Sequence, residues 1–121
     1  MTGKSKKGQA YRYAPAFILL FLSTENMYGA ALYNKMQMEI PFCHADGAVV
    51  YRTLQDLEEE GSVKSYWDTI APGPAKKWYQ ITERGLERLE EYREEIEARK
   101  KNLEFFLDSL EKIPGRPFIK K

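Results

Sequence analysis

The sequence predicts an α+β fold that is mostly helical, in which three short helices and a β-hairpin precede one long helix. Three observations support it: apolar residues recur at helical spacing in three segments, two short alternating runs flank an APGP turn, and the last third carries a seven-residue repeat. With 121 residues the chain can form one compact domain with a long appendage. Apolar residues make up 43% and charged residues 31%, which excludes the disordered and collagen-like classes.

The first two helices are predicted from two apolar segments separated by a polar turn. Pro15 suits the first turn of a helix, and AFILLFLS, which follows it, is apolar on nearly all sides, as in a helix buried in a small core. After the polar residues 23–26, MYGAALYNKMQM resumes a helical pattern in which Leu32 and Met36 lie four residues apart. Pro41 bars continuation of this second helix.

The third helix runs directly into a hairpin. Val50, Leu54 and Leu57 form one apolar stripe, which predicts a helix from Ala45 or Asp46 to Glu60, with Gly61 as its left-handed stop. VKSYWD then alternates Val63, Ser65 and Trp67 with Lys64, Tyr66 and Asp68, as a strand with unlike faces does, and KKWYQI forms a second strand after the turn. This order predicts a winged helix-turn-helix domain over residues 13–82.

The third helix and the hairpin carry the candidate DNA contacts. In this fold the third helix places its N-terminal part in the major groove. The helix face opposite the apolar stripe is predicted to present Ala48, Val49, Arg52 and Thr53, and the acidic residues 56 and 58–60 lie in the C-terminal half. We expect Lys76 and Lys77 at one tip of the hairpin, where they can reach backbone phosphates.

A long helix over residues 83–113, capped by Thr82 and ended by Pro114-Gly115, is the predicted dimerisation element. Leu89, Ile96, Leu103 and Leu110 repeat every seven residues, and Tyr92, Phe106 and Ile113 lie three positions further on, with Arg99 interrupting that second row. The sequence therefore predicts a homodimer. Its contacts are Leu89, Tyr92, Ile96, Leu103, Phe106 and Leu110. A two-fold dimer would place two recognition helices about 34 Å apart and favour a palindromic operator of double-stranded DNA.

The charge is near balance overall and unevenly distributed. The net charge is +1, but residues 1–12 and 114–121 are basic without acids, so we expect a flexible N-terminal arm and a basic tail. The arm either adds phosphate contacts or only solubilises the chain.

Enzyme chemistry is not predicted. The sequence has no glycine-rich phosphate loop, paired-carboxylate site or nucleophile motif, so we expect no catalysis and no cofactor. Cys43 and His44 lack the further ligands of a metal site. The longest apolar run, Ala14 to Leu22, is too short to cross a bilayer, and we expect a cytoplasmic protein without membrane contact. Aromatic residues, 13% of the chain, would line a cavity for a flat effector, stack on bases, or complete the core.

Four motifs lie in the third helix, the hairpin and the start of the long helix: YRTLQDLEEEG at 51–61, YWD at 66–68, GPAKKWY at 73–79 and Ile81-Thr82 with Gly85. Together they resemble the PadR family of bacterial transcriptional regulators. The similarity covers about residues 12–110. The WDT and GPAK stretches are more particularly similar to the branch of poly-β-hydroxybutyrate-responsive repressors.

The resemblance implies a homodimeric winged-helix repressor whose C-terminal helix dimerises and whose DNA affinity often responds to a small molecule. It points to Tyr51, Arg52, Lys76 and Lys77 as DNA contacts, and Tyr28-Gly29 matches the start of the family's second helix. Ala48 stands where the family usually has glycine, and Ala30 where it commonly has an aromatic residue. The alternative hypothesis is a winged-helix module that binds proteins and has no DNA-binding activity.

Overall fold

A computed structural model describes residues 12–43, 45–70 and 72–115, and it confirms the predicted fold class. The predicted arm and basic tail therefore lie almost wholly outside the described residues, as does His44. In chain order the elements are α1 (Ala14–Leu22), β1 (Met27–Tyr28), α2 (Gly29–Glu39), α3 (Gly47–Glu59), β2 (Val63–Asp68), β3 (Lys76–Ile81) and α4 (Glu83–Glu111).

The core lies among the first three helices and extends to the sheet. Leu32 and Met36 of α2 and Val50 of α3 are almost completely buried, as the helical spacing predicts. Tyr79 of β3 is buried in the same cluster, so the hairpin is anchored to the helices. Burial of each large apolar side chain contributes about 1.5–3 kcal/mol, which is what holds so small a domain together.

The sheet has three antiparallel strands in the order β1-β3-β2. The wing hairpin pairs Val63 with Ile81 at one end and Asp68 with Lys76 at the other. The prediction that Met27 and Tyr28 belong to the second helix is wrong, since they pair with Tyr79 and Trp78 along the other edge of β3. This pairing satisfies backbone groups of β3 that a two-stranded hairpin would leave to water.

Helix α3 begins and ends one or two residues inside the predicted limits. The Asp46 side chain is the N-cap, and its Oδ1 accepts a hydrogen bond from the Val49 amide at 3.0 Å. Such a cap stabilises a helix by about 1 kcal/mol. Gly61 has a φ of 85°, which confirms the predicted left-handed stop and turns the chain into β2.

The start of α4 is fastened to the end of α3. The Thr82 hydroxyl accepts from the Gly85 amide at 3.2 Å, as the predicted cap requires, and donates to the Gly61 carbonyl at 2.6 Å. The Ser62 carbonyl accepts from the Thr82 amide at 3.0 Å, and a Cβ on Gly85 would overlap that carbonyl oxygen. This junction therefore requires glycine at position 85.

The chain divides into two compact units between Glu90 and Glu91, beyond the predicted boundary at residue 82. The first unit contains the three short helices, the sheet and the beginning of α4. Within the described residues of the second unit, the remainder of α4 is the only helix or strand. No helix in the described ranges is long and apolar enough to cross a membrane.

Candidate nucleic-acid interface

The solvent-facing side of α3 offers a stripe of side chains suited to a DNA groove. Ala48, Tyr51, Arg52 and Gln55 are exposed and follow the i, i+3, i+4, i+7 spacing of one helix face. Thr53 is half-buried beside them. The expected exposure of Ala48 and Arg52 is confirmed, and Tyr51, a DNA contact that the family resemblance implies, is exposed as well.

Val49 does not belong to this exposed stripe. Its side chain is only 7% exposed and is part of the core, so the expectation that it faces outward is wrong. The apolar side of α3 comprises Val49, Val50, Leu54 and Leu57, which is wider than the three-residue stripe read from the sequence. A helix packed against more than one element needs such a wide face.

A groove lies between α3, the start of α2 and the wing, and we call it the wing groove. It has a volume of about 410 Å³. Its residues come from five elements, and they are Tyr28, Gly29, Ala30, Tyr51, Trp67, Lys76, Lys77 and Tyr79. The structure thus brings together three predicted DNA contacts, Tyr51, Lys76 and Lys77, which are up to 26 positions apart in the sequence.

The ring of Tyr51 lies directly against the backbone of Gly29. A Cβ at position 29 would overlap Tyr51 Cε1 and would lie 2.8 Å from Cζ and 2.9 Å from the hydroxyl oxygen. Only glycine leaves room for the ring at this position. The Tyr-Gly pair at the start of α2 therefore provides the surface on which the Tyr51 ring lies.

The two lysines of the wing have different surroundings. Lys76 is exposed, and its Nζ lies 4.5 Å from the centre of the Tyr28 ring, within the range of a cation–π contact. Lys77 Nζ lies 3.6 Å from Oε1 of Glu58 on α3. Both lysines begin β3, and they pair with Asp68 and Trp67 at the end of the hairpin next to its turn, where they were expected.

Arg52 and Thr53 line a second groove of about 350 Å³, on another side of α3. Pro15 and Arg88 contribute to it, and so do the carboxylates of Asp56 and Glu60. The predicted DNA contacts are therefore divided between two grooves. The second groove holds acids of the recognition helix, which disfavour a phosphate there.

Trp67 is a candidate contact that the sequence indicated only among the aromatic residues in general and not among the predicted DNA contacts. The alternating pattern grouped it with Val63 and Ser65, yet Val63 is buried while Trp67 is 62% exposed and lines the wing groove. Trp67 pairs with Lys77 across the hairpin, four residues further along β2 than the buried end. A tryptophan this far along a wing lies too far from a small core to be buried in it. Its position near the turn could therefore have indicated its exposure from the sequence.

The predicted dimer contacts also separate into two groups. Leu89 is half-buried and packs against the core of its own first unit. Within the second unit, Ile96, Leu103 and Phe106 are exposed, and Tyr92 and Leu110 are half-buried. Phe105 and Leu107 are exposed as well, which the seven-residue repeat did not predict.

Comparison with known proteins identifies the family. Residues 18–91, more than half of the chain, match the transcriptional regulator PadR-like family. A search of curated proteins gave no match.

Solved structures of the family resemble this fold. A PadR family transcription regulator from Clostridium difficile R20291 is 25% identical, with a TM-score of 0.69, over 78% of this chain and 98% of that one. A PadR-like transcriptional regulator from Bacillus cereus ATCC 14579 is 26% identical, with a TM-score of 0.65, over 78% and 91%. A conserved protein described as a potential transcriptional factor is 30% identical, with a TM-score of 0.72, over 82% and 88%.

Two of these neighbours are described as PadR-type transcriptional regulators and the third as a potential transcriptional factor, and all three are similar to this chain in fold. The motifs around Tyr51 and the wing lysines fall inside the matched residues. The chain belongs to the PadR-like family of DNA-binding transcriptional regulators.

Proposed function

We propose that the protein is a homodimeric repressor that binds a palindromic operator and is released by a small-molecule effector. The observation that carries the proposal is the wing groove, where an exposed tyrosine of the recognition helix lies beside two lysines and an exposed tryptophan of the wing. Proteins of this fold insert the start of the third helix into the major groove, which is where Ala48 and Tyr51 are exposed.

The groove supports two kinds of DNA contact. Lys76 keeps its positive charge beside a neutral ring and is exposed, which suits a phosphate contact that positions the protein. Tyr51 and Ala48 supply a hydroxyl and a methyl group at the surface that enters the groove, where hydrogen bonds and contacts with thymine methyl groups distinguish bases. Trp67 adds a large apolar surface to the same groove.

The second unit supports dimerisation. Leu103, Phe106 and Leu107 are all more than half exposed on one stretch of helix, and so is Phe105. A helix with this much exposed apolar surface is stabilised when it packs against another helix, and a second copy of the chain offers the same surface. A dimer with two recognition helices explains why the operator would be palindromic.

Repression and release by an effector follow from the family resemblance, and the wing groove is consistent with them. Its volume falls within the range of small-molecule sites, and its walls include four aromatic residues. A flat ligand in this groove would cover Tyr51 and Trp67, the side chains that the proposal assigns to DNA. Binding of DNA and ligand would then be mutually exclusive. As a regulator of bacterial genes, the protein would work in the cytoplasm.

Selection from a pool of random duplexes, followed by sequencing of the bound fraction, tests the proposal. We expect a palindromic motif whose affinity falls steeply with salt, with a log-log slope of about 0.9 for each phosphate contact. Lys76→Ala with Lys77→Ala should weaken binding to all duplexes about equally and flatten that slope.

Two results would overturn parts of the proposal. If the lysine pair altered the selected sequence instead, the wing would be contacting bases. If no motif emerged and binding stayed weak at low salt, the protein would be a winged-helix module for protein partners. The near-neutral net charge of +1 is what keeps this alternative open to test.

A further inference from the structure

We propose that Glu58 competes with DNA phosphate for Lys77, and so holds the affinity for duplex DNA below what the two wing lysines would supply. The inference rests on the proposed DNA-binding function and names an internal residue that tunes it. Glu58 lies on α3, which also carries Tyr51, and Lys77 lies on β3 of the wing.

Both oxygens of the Glu58 carboxylate are engaged by the wing. Oε1 lies 3.6 Å from Lys77 Nζ, and Oε2 accepts a hydrogen bond from the Ser65 hydroxyl at 2.6 Å. The Ser65 contact fixes the carboxylate on the side of α3 that faces the wing. Glu58 is thus held in the interface between α3 and the hairpin by contacts with both of its carboxylate oxygens.

The pairing changes what Lys77 can offer to DNA. A lysine that neutralises a phosphate releases the counterions associated with it, and this release provides much of the affinity of non-specific binding. A Lys77–Glu58 pair is neutral as a whole, so it neutralises no phosphate unless the two side chains separate. Lys76 is different because its ammonium lies over the uncharged Tyr28 ring and keeps its full charge.

Glu59 provides a matched control for Glu58. It is the next residue on the same helix, it is exposed, and its replacement by glutamine removes the same charge. Glu58→Gln retains an oxygen that can accept the hydrogen bond from Ser65, so the helix and the wing stay connected. The two variants therefore differ in the Lys77 contact rather than in net charge.

The test is fluorescence anisotropy with the full chain and a labelled duplex of random sequence over a series of salt concentrations. We expect Glu58→Gln to bind about two- to fivefold more tightly than Glu59→Gln, the range of an exposed ion pair. The log-log salt slope should steepen by up to about 0.9, one additional phosphate contact. Equal affinities and equal slopes for the two variants would overturn the inference, as would weaker binding by Glu58→Gln.

A second comparison tests the partner directly. Lys77→Gln should change DNA affinity little in the native chain and several-fold in the Glu58→Gln chain, because only there is the ammonium available to phosphate. Equal effects of Lys77→Gln in both chains would show that Glu58 does not restrain it. If the native chain bound no duplex at all, the proposed function itself would fail. If the native chain bound DNA and the variants had the same affinity as their controls, only this inference would be refuted.

Discussion

Replacing Gly29 by alanine is expected to lower the affinity for DNA while leaving the free energy of unfolding nearly unchanged. The added Cβ would overlap Tyr51 Cε1 and lie 2.8 Å from Cζ, while ordinary contact begins at 3.4 Å, so Cζ must move by about 0.6 Å and Cε1 by more. Tyr51 is 50% exposed, so its ring can swing into water instead of straining the core. Alanine at the start of α2 also regains up to about 1 kcal/mol over glycine. We therefore expect the free energy of unfolding to change by less than about 1 kcal/mol.

DNA binding should change far more, because Tyr51 loses the surface on which it lies. If its contact contributes about 1–3 kcal/mol, as well-placed base contacts do, affinity falls by about 5- to 150-fold. Anisotropy with the selected operator measures the affinity, and urea unfolding at the same protein concentration measures stability. Asn34→Ala is the control, since Asn34 is exposed on the same helix α2 and does not line the wing groove. Operator affinity of Gly29→Ala equal to that of the control would refute the role assigned to the Tyr51 position.

Three further changes test other parts of the molecule. Leu103→Glu places a charge on the apolar surface of the second unit, so sedimentation should show monomers and tight operator binding should be lost; an intact dimer of native affinity would contradict the dimer assignment. Trp67→Ala should weaken operator binding by roughly tenfold, the effect of one good contact. Tyr66→Ala, at the preceding position of β2, is the control and should change the operator affinity by no more than about twofold. Equal losses of affinity for the two variants would show that Trp67 is not part of the interface. Gly85→Ala should lower the free energy of unfolding by about 1–3 kcal/mol in urea, because the Ser62 carbonyl cannot move aside without losing its hydrogen bond; native stability would show that the junction is looser than described.

The helices and the wing were predictable because their signals are local. Leu32 and Met36 predict α2 by their spacing alone. Gly61 predicts the end of α3 because glycine adopts a positive φ readily, and it has a positive φ in the structure. The motifs that resemble the family pointed to Tyr51, Lys76 and Lys77, and these three residues line the wing groove, whereas Arg52 lines the second groove. A short-range pattern is sufficient where a side chain's environment is set by its own helix or strand.

Tertiary contacts decided the remainder. Val49 and Leu89 both match an outward pattern in the sequence, but each packs against the core from an element whose neighbours the sequence does not reveal. Met27 and Tyr28 pair with β3 although about 50 residues separate them from it, and no local signal predicts such a pairing. Trp67 shows the opposite case, since an apolar residue at an inward position becomes exposed where the wing extends past the core.

The acids of α3 show how a chain of nearly neutral net charge can present a DNA-binding surface. Glu58 bonds to Ser65 and lies near Lys77 of the wing, and Glu60 accepts hydrogen bonds from Ser62 and from Arg88 of α4. These carboxylates connect the C-terminal half of α3 to its neighbours, while the N-terminal half, with Ala48 and Tyr51, contains none beyond the cap. Because salt screens exposed charges beyond about 10 Å, a phosphate at the wing groove senses the nearby groups rather than the charge of the whole chain. We therefore expect the balance between Lys76, Lys77 and Glu58 to govern DNA affinity more than the net charge does.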